Sequence, residues 1–548
     1  MLNRVAVGTA TLFGACVFPV VAVQAQQTPR DYTRSLVDQY NALRRDHPEI
    51  VEANRRKVAE IMAGASAGRR NLAIDDNTNY NMAGMMDRAR GGLNTGAFGR
   101  IGGENGNPYM NQGAASPGQL HEYGKSISNS PRPCAPGGVT PLFACSTSSS
   151  FPSGHTAKAT GAALLAAYIA PEKFQAFITR AQEYGESRIV AGQHYPLDVM
   201  ASRAMTYKAV ADLLADQVPN PNSWLNAVAS IPATRAGLFG GCGSQSPEAC
   251  ANSRTDAFSD RAANKAFYDR TANYGFASVG DRNVAMEVPK NAEYLIATRF
   301  GYLDDVQRRE VIRTTAYESG RVLDDPWSRI NLFAAADGYG AFANQVVVNQ
   351  DGSKGGFFAA DRWMNDIGGA GGLTHNGSGM LTLTGNNSYA GGTILNDGTL
   401  VAGSRTAFGT GDMVVNGGTL VVGAAGLTLS RLTMGSLGTL DLGTYGGLSA
   451  LDIAGFADLD GTLSLDFANH GAGRYSLMNY GGVTGRFSRF DLRNLREGYA
   501  GSLFYDARGL FLDVAAVPEP ATWAMMIVGF AAIGAAMRRR PRPTAALA

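Results

Sequence analysis

Apolar residues at helical spacing open the chain. Leu36, Tyr40 and Leu43 recur three and four residues apart, and the pattern resumes from Ile50 to Ile61 after a break at His47-Pro48. The spacing predicts helix over Asp31 to Met62, with His47 a turn residue on a charged surface. Gly91 to Ser116 is rich in glycine and asparagine and reads as loop. Leu120 to about Ala215 is the densest helical stretch. Within it, Gly161 to Ala170 is apolar but far too short to span a bilayer, so this region is predicted to be soluble. Pro219 to Pro247 reads as a looser segment. Helical periodicity returns from Asp256 to about Ala336, with Tyr294, Leu295 and Phe300 as expected core.

After Gly368 the period changes from helical to alternating, as in Met380-Leu381-Thr382-Leu383-Thr384. The triad Gly-Thr-Leu starts at Gly398, Gly418, Gly438 and Gly461, at intervals of 20, 20 and 23. A period near 20 with alternation inside each unit predicts a stacked parallel β-solenoid, with glycine and asparagine at the corners. The 68 glycines crowd into this half. His375 and His470 lie there without evident partners and read as surface residues.

The ends carry further patterns. Arg4, the apolar run Val5 to Val23 and the small-residue site Val23-Gln24-Ala25 predict a secretory signal cleaved before Gln26. Its removal leaves Cys134, Cys145, Cys242 and Cys250. An even number of cysteines in an exported chain predicts disulfides, and the two short loops Cys134–Cys145 and Cys242–Cys250 are the favoured pairs of three connectivities. At the other end Val517-Pro518-Glu519-Pro520 precedes an apolar run to Met537 and then Arg538-Arg539-Arg540. The run predicts a membrane helix of marginal length with a cytoplasmic basic stop and Trp523 at the interface. A net charge of +2 gives no reason to expect a nucleic-acid partner.

The chemistry concentrates between the two long patterns. Phe151-Pro152-Ser153-Gly154-His155 stands where a helix begins, and helix N-terminal amides are an anion site. Lys125, Arg132 and Pro133 lie upstream; Ser187, Arg188, His194 and Asp198 lie downstream. Three cations suit the oxygens of a transferring phosphoryl group, and two histidines suit a nucleophile and a proton donor. His194 and Asp198 are four apart with Pro196 at a helix start, so one carboxylate can fix the imidazole tautomer. No cluster has zinc or calcium spacing.

These three motifs, Lys125/Arg132/Pro133, Pro152-Ser153-Gly154-His155 and Ser187-Arg188 with His194 and Asp198, resemble the type 2 phosphatidic acid phosphatase superfamily. Within it they are most similar to the exported class A bacterial acid phosphatases. The resemblance implies a mostly helical fold and hydrolysis of phosphomonoesters without metal or other cofactor. It implies His194 as nucleophile forming a phosphohistidine, Asp198 orienting it, and His155 as general acid and later base. Lys125, Arg132, Arg188, Ser153 and the Gly154 N–H would hold the phosphate. The same pocket chemistry admits a vanadium-dependent haloperoxidase as an alternative, and the display features admit a surface or matrix structural protein with a vestigial phosphatase domain.

Gly379 to Thr393 with Asn396-Asp397-Gly398-Thr399-Leu400 resembles the autotransporter-associated β-strand repeat, and the C-terminus resembles the PEP-CTERM sorting tail cut by a membrane exosortase. These imply export to the periplasm or surface of a Gram-negative bacterium, at least transiently anchored by the C-terminal helix. The expected division is 1–25 signal, 26–118 helical and loop extension, 119–342 helical acid phosphatase domain, 343–376 linker, 377–515 β-solenoid and 517–540 sorting tail with its transmembrane helix.

Overall fold

Prolines and short polar caps set the helix starts. The computed structural model describes residues 27–79, 81–102, 117–215, 221–444, 451–468, 470–517 and 520–539. The expected signal 1–25 and residues 103–116 of the expected loop lie outside them. Helix α1 (Pro29–Asp46) is capped by Thr28, and α2 (Pro48–Gly64) restarts at the predicted break at His47-Pro48. Helix α3 (Ala67–Thr78) is capped by the Ser66 hydroxyl. Then come α4 (Pro117–Ser128), α5 (Gly154–Ile169), α6 (Phe174–Val190) and α7 (Pro196–Leu214). Helix α5 is alanine-rich and buried nearly all round, so it forms the centre against which α6 and α7 pack. Gly192, at φ +72°, turns the chain out of α6, and the Gln193 and His194 amides both donate to the Arg188 carbonyl.

The expected looser stretch contains a full helix, α8 (Pro221–Leu238), started by Pro221. Conversely, Asp256 to Ala336 is more broken than its periodicity predicts. It holds α9 (Arg261–Asn273), a 3-10 turn at Ala292–Ile296 and α10 (Asp305–Thr315). Pro289, Asn291 at φ +73°, Gly320 at φ +75° and Pro326 interrupt it. Leu295 and Phe300 are buried as expected; Tyr294 is half-buried.

The second half is strand-rich, with 15 strands among the described residues hydrogen-bonded into one sheet. Residues 343–376, expected as a linker, already contain β1 (Val346–Asn349), β2 (Ala360–Trp363) and β3 (Leu373–Asn376). Then follow β4 (Met380–Leu383), β5 (Thr393–Leu395), β6 (Thr399–Ala402), β7 (Met413–Val422), β8 (Leu427–Leu429), β9 (Leu432–Thr444), β10 (Leu451–Leu459), β11 (Thr462–Asp466), β12 (Gly473–Gly485), β13 (Arg489–Arg493), β14 (Tyr499–Tyr505) and β15 (Gly509–Ala516). Pairing is parallel throughout until β12, β15 and β14, which pair antiparallel.

The Gly-Thr-Leu recurrence is the pairing register. Thr399, Thr419, Thr439 and Thr462 are successive partners, and so are Leu400, Leu420, Leu440 and Leu463, all four leucines fully buried. Gly398, Gly418 and Gly461 take φ of +72°, +72° and +73°, left-handed corners that disfavour any side chain. Asn349, Asn376, Asn396 and Asn416 form a ladder of side-chain amide bonds of 2.8–2.9 Å. His375 is not a surface residue: it is fully buried, with its ring nitrogens 3.0 Å from the Asp397 carbonyl and 3.1 Å from Gln350 Oε1. His470 is half-buried and bonds the Ala468 carbonyl at 2.7 Å.

The helical and strand-rich halves share one core. Trp363 of β2 is fully buried, donates to the Tyr302 hydroxyl at 2.9 Å and packs on Tyr339 at 5.2 Å. Beside it Arg299 pairs with Asp361 at 2.7 Å, and Phe342 meets Tyr389 edge-on at 4.8 Å. A single cluster of buried residues runs from Tyr32 to Val514.

The C-terminal run forms helix α11 (Pro520–Arg538), whose apolar side chains, such as Met525 and Phe530, are exposed. This run is the one expected as a transmembrane helix. Among the described residues no helix is long and apolar enough to cross a membrane. The uninterrupted small and apolar stretch, Trp523 to Met537, is 15 residues, against about 20 needed to span the hydrocarbon core.

Candidate active site

The predicted site residues come together at one cavity of about 670 Å³. Lys125 arrives from the last turn of α4, Arg132 from the loop after it, Gly154 and His155 from the first turn of α5. Arg188 arrives from the last turn of α6 and His194 from the turn before α7. Ser153 and Asp198 sit behind the cavity wall, fully buried. Ser153 caps α5, and its amide donates to the Asp198 carbonyl at 3.3 Å, tying the two helix starts together.

His194 is the most constrained group. Its Nδ1 lies 3.2 Å from Asp198 Oδ2 and its Nε2 lies 3.1 Å from an Arg132 nitrogen. Arginine only donates, so Nε2 is the acceptor and Nδ1 carries the proton given to the carboxylate. Burial, and then Arg132, Lys125 and Arg188, hold the His194 pKa well below its usual value. Asp198 Oδ2 also accepts from Ser150 Oγ at 2.5 Å and the Tyr195 amide at 2.8 Å, whereas Oδ1 has no hydrogen-bond partner. Burial raises the Asp198 pKa to about 6.

The cations are held by a serine-rich loop. Lys125 Nζ donates to the Ser149 carbonyl at 2.5 Å, and burial lowers its pKa to about 8. Arg132 donates to the Ser148 carbonyl and hydroxyl at 2.9 and 3.0 Å and to the Gln193 carbonyl at 2.9 Å. The Cys134–Cys145 disulfide closes the stretch between Arg132 and these serines, and Cys242–Cys250 forms as well. The Gln193 side chain clamps the loop to the His194 turn through the Phe143 and Ala144 carbonyls and the Ser146 amide.

His155 faces the Asn77 carbonyl at 3.4 Å and stacks near Tyr184. Burial and then Arg188 press its pKa well below the usual value. Arg188 donates to Asn77 Oδ1 at 2.9 Å and lies over the Phe143 ring. A Cβ on Gly154 would stand 2.4 Å from His121 Nε2, so a side chain there would have to displace the His121 ring. His121 itself belongs to the site. It is nearly buried, lines the cavity and pairs with Glu122 at 2.8 Å.

Sequence reasoning missed Asn77, His121 and Gln193. Gln193 adjoins His194, and its place beside a predicted site residue was the available signal. Asn77 lies in a helix that matched no pattern, and nothing in its spacing announces it.

Comparisons with known proteins find three matching segments along the chain. Residues 112–215 match the family model of the PAP2 superfamily, 373–402 the passenger-associated-transport-repeat and 516–540 the PEP-CTERM protein-sorting motif. A non-specific acid phosphatase of Providencia stuartii is 41% identical over 68 residues, 12% of this chain and 27% of that protein. One of Salmonella typhi is 44% identical over 54 residues, 10% of this chain and 22% of that protein. An extracellular serine protease of Serratia marcescens is 29% identical over 176 residues, 25% of this chain and 17% of that protein. The chain thus spans about a quarter or less of the length of these relatives. Residues 112–215, which carry the predicted site residues, match the PAP2 superfamily and are joined in one chain to segments that match a passenger-associated-transport-repeat and a PEP-CTERM protein-sorting motif.

Proposed function

We propose that the chain is an exported acid phosphatase acting on phosphomonoesters through a phosphohistidine at His194. The observation that carries this reading is the two-sided hold on His194: Nδ1 on the Asp198 carboxylate, Nε2 among the cations of the cavity. A nucleophile needs an unprotonated nitrogen, and burial among three cations keeps the ring neutral. In the first step Nε2 attacks phosphorus, a P–N bond forms and the P–O ester bond breaks, with the His155 proton going to the leaving oxygen. In the second, His155 takes a proton from water, the oxygen attacks phosphorus, the P–N bond breaks and inorganic phosphate leaves. Lys125, Arg132 and Arg188, with the Gly154 N–H, balance the charge on the equatorial oxygens, while Ser153, behind the wall, caps the helix that presents that N–H.

The pH dependence follows. Activity needs His155 protonated, so it falls as pH rises through a pKa that burial and Arg188 keep low. It also needs the Asp198–His194 pair without an added proton, so it falls again at low pH. The full chain should hydrolyse p-nitrophenyl phosphate, with chelator present, along a bell-shaped profile peaking on the acid side of neutrality. A flat rate from pH 5 to 9, or no phosphate released from any monoester, contradicts the reading.

The parallel register near 20 residues and the asparagine ladder support reading β1 to β13 as a β-solenoid. The passenger repeat and sorting motif support export to the surface of a Gram-negative bacterium, with an exosortase-type protease acting on the tail.

A further inference from the structure

Two of the groups that the proposed reaction needs, Arg188 and His155, touch a residue far away in sequence. Asn77 closes α3, and its side-chain oxygen accepts from Arg188 at 2.9 Å while its carbonyl faces His155 Nε2 at 3.4 Å. It also lines the cavity. The residue lies outside the segment, 112–215, that matches the family model.

Its placement is built, not incidental. Asp76 is buried and pairs with Arg180 of α6 at 2.5 Å, and it accepts from the Ser187 hydroxyl at 2.6 Å. The Tyr184 hydroxyl donates to the Asn79 carbonyl at 2.7 Å. Arg69, one face of α3 earlier, donates to Ser187 Oγ at 2.7 Å and to the Glu183 carbonyl at 2.8 Å. Residues 76–79 are thus pinned along the last turns of α6, the same turns that end in Arg188. Ser187, which the motif places beside Arg188, serves this anchoring.

We infer that Asn77 is a positioning residue that sets the phosphate-facing arm of Arg188 through its side chain and the proton-donor ring of His155 through its backbone. The inference rests on the phosphatase reading for its consequence but not for its geometry. A neutral acceptor on the arginine leaves its full charge to face an anion. A neutral amide also adds no charge beside the incoming dianion, as a carboxylate there would. The two contacts separate by chemistry, because substitution removes the side chain and leaves the carbonyl.

The test uses the full-length protein and two variants. Asn77→Ala loses the Arg188 acceptor, so the dissociation constant of inorganic phosphate, measured by calorimetry, should rise about tenfold. KM for p-nitrophenyl phosphate should rise with it, and the alkaline limb of the pH profile should stay in place, since the carbonyl facing His155 remains. Asn77→Asp puts a carboxylate near His155, which otherwise faces Arg188, Lys158 and His121. A nearby anion favours the imidazolium, so the alkaline limb should move to higher pH. Melting temperatures of both variants should stay near wild type, since Asp76 and Tyr184 still hold the segment. Phosphate affinity within twofold of wild type in Asn77→Ala, or a limb unmoved in Asn77→Asp, overturns the inference. A wild-type protein that binds phosphate yet releases none from any monoester overturns the phosphatase reading instead.

Discussion

Replacing Asp198 with asparagine removes one charge from the buried side of the site and almost nothing else. The new side-chain oxygen can take the place of Oδ2, which accepts from His194 Nδ1, Ser150 Oγ and the Tyr195 amide. The new NH2 then occupies the place of Oδ1, a buried oxygen without a partner, and leaving that group unsatisfied costs about 1–3 kcal/mol. Against this, wild type carries a buried carboxylate whose pKa is raised to about 6 from 3.8. A raised carboxylate pKa means that stability present at low pH is lost as pH climbs through the folded value. At neutral pH that penalty is about 3 kcal/mol, and the variant escapes it. The two terms offset, so the melting temperature should stay near wild type at neutral pH. Catalysis should not. As Nε2 attacks, positive charge develops on the imidazole, and the carboxylate is its counter-charge. Exchanging a charge-assisted hydrogen bond for a neutral one, a difference of about 1–1.5 kcal/mol, predicts a kcat lower by roughly 5- to 12-fold. KM should change little, because Asp198 does not line the cavity. Steady-state hydrolysis of p-nitrophenyl phosphate with a thermal melt of each protein reads both quantities. A kcat within threefold of wild type, or an effect confined to KM, would refute the role given to Asp198.

Other consequences are simpler. Substituting Cys134 and Cys145 with serine should raise KM more than it lowers kcat, because the bridge ties the segment just after Arg132 to the segment just before Ser148, whose carbonyl and hydroxyl hold Arg132; a KM unchanged in that variant argues against this. Trp363→Ala should destabilise the chain by about 3–5 kcal/mol, read as a lower melting temperature, since its fully buried ring joins Tyr302, Tyr339 and Phe342. For the same reason a fragment ending at Phe342 should fail to fold as a soluble, cooperative unit, and a sharp melt of that fragment would show that the shared core is dispensable.

The legible part of the molecule was the part governed by short-range rules. Pro48, Ser153 and Pro196 mark helix starts because capping and a fixed φ act locally. The Gly-Thr-Leu recurrence foretold the strand register because each triad pairs with the next. The site motifs announced a phosphate-sized cluster of cations around two histidines. What stayed hidden depends on long-range packing. Trp363 sits in a stretch that reads as linker, and only its burial against Tyr302 and Tyr339 shows that the helical half covers the start of the strand stack. His375 looked like a surface residue because its partners, Gln350 and Asp397, lie 25 and 22 residues away. His121 meets Gly154 across two helices, and Asn77 reaches Arg188 over 111 residues. Hydrogen bonds across such separations leave no periodic trace.

The central claim is a covalent bond between phosphorus and His194 Nε2. A His155→Ala variant should expose it, because an aryl phosphate with a good leaving group needs little acid to form the phosphoenzyme, while water then lacks its base. Quenching that variant into alkali during turnover of labelled aryl phosphate, followed by peptide mapping, should find alkali-stable, acid-labile label on His194. The label should be absent when His194 is also replaced by alanine. Label on any other residue, or release of the phenol with no phosphoenzyme at any time, would contradict the account.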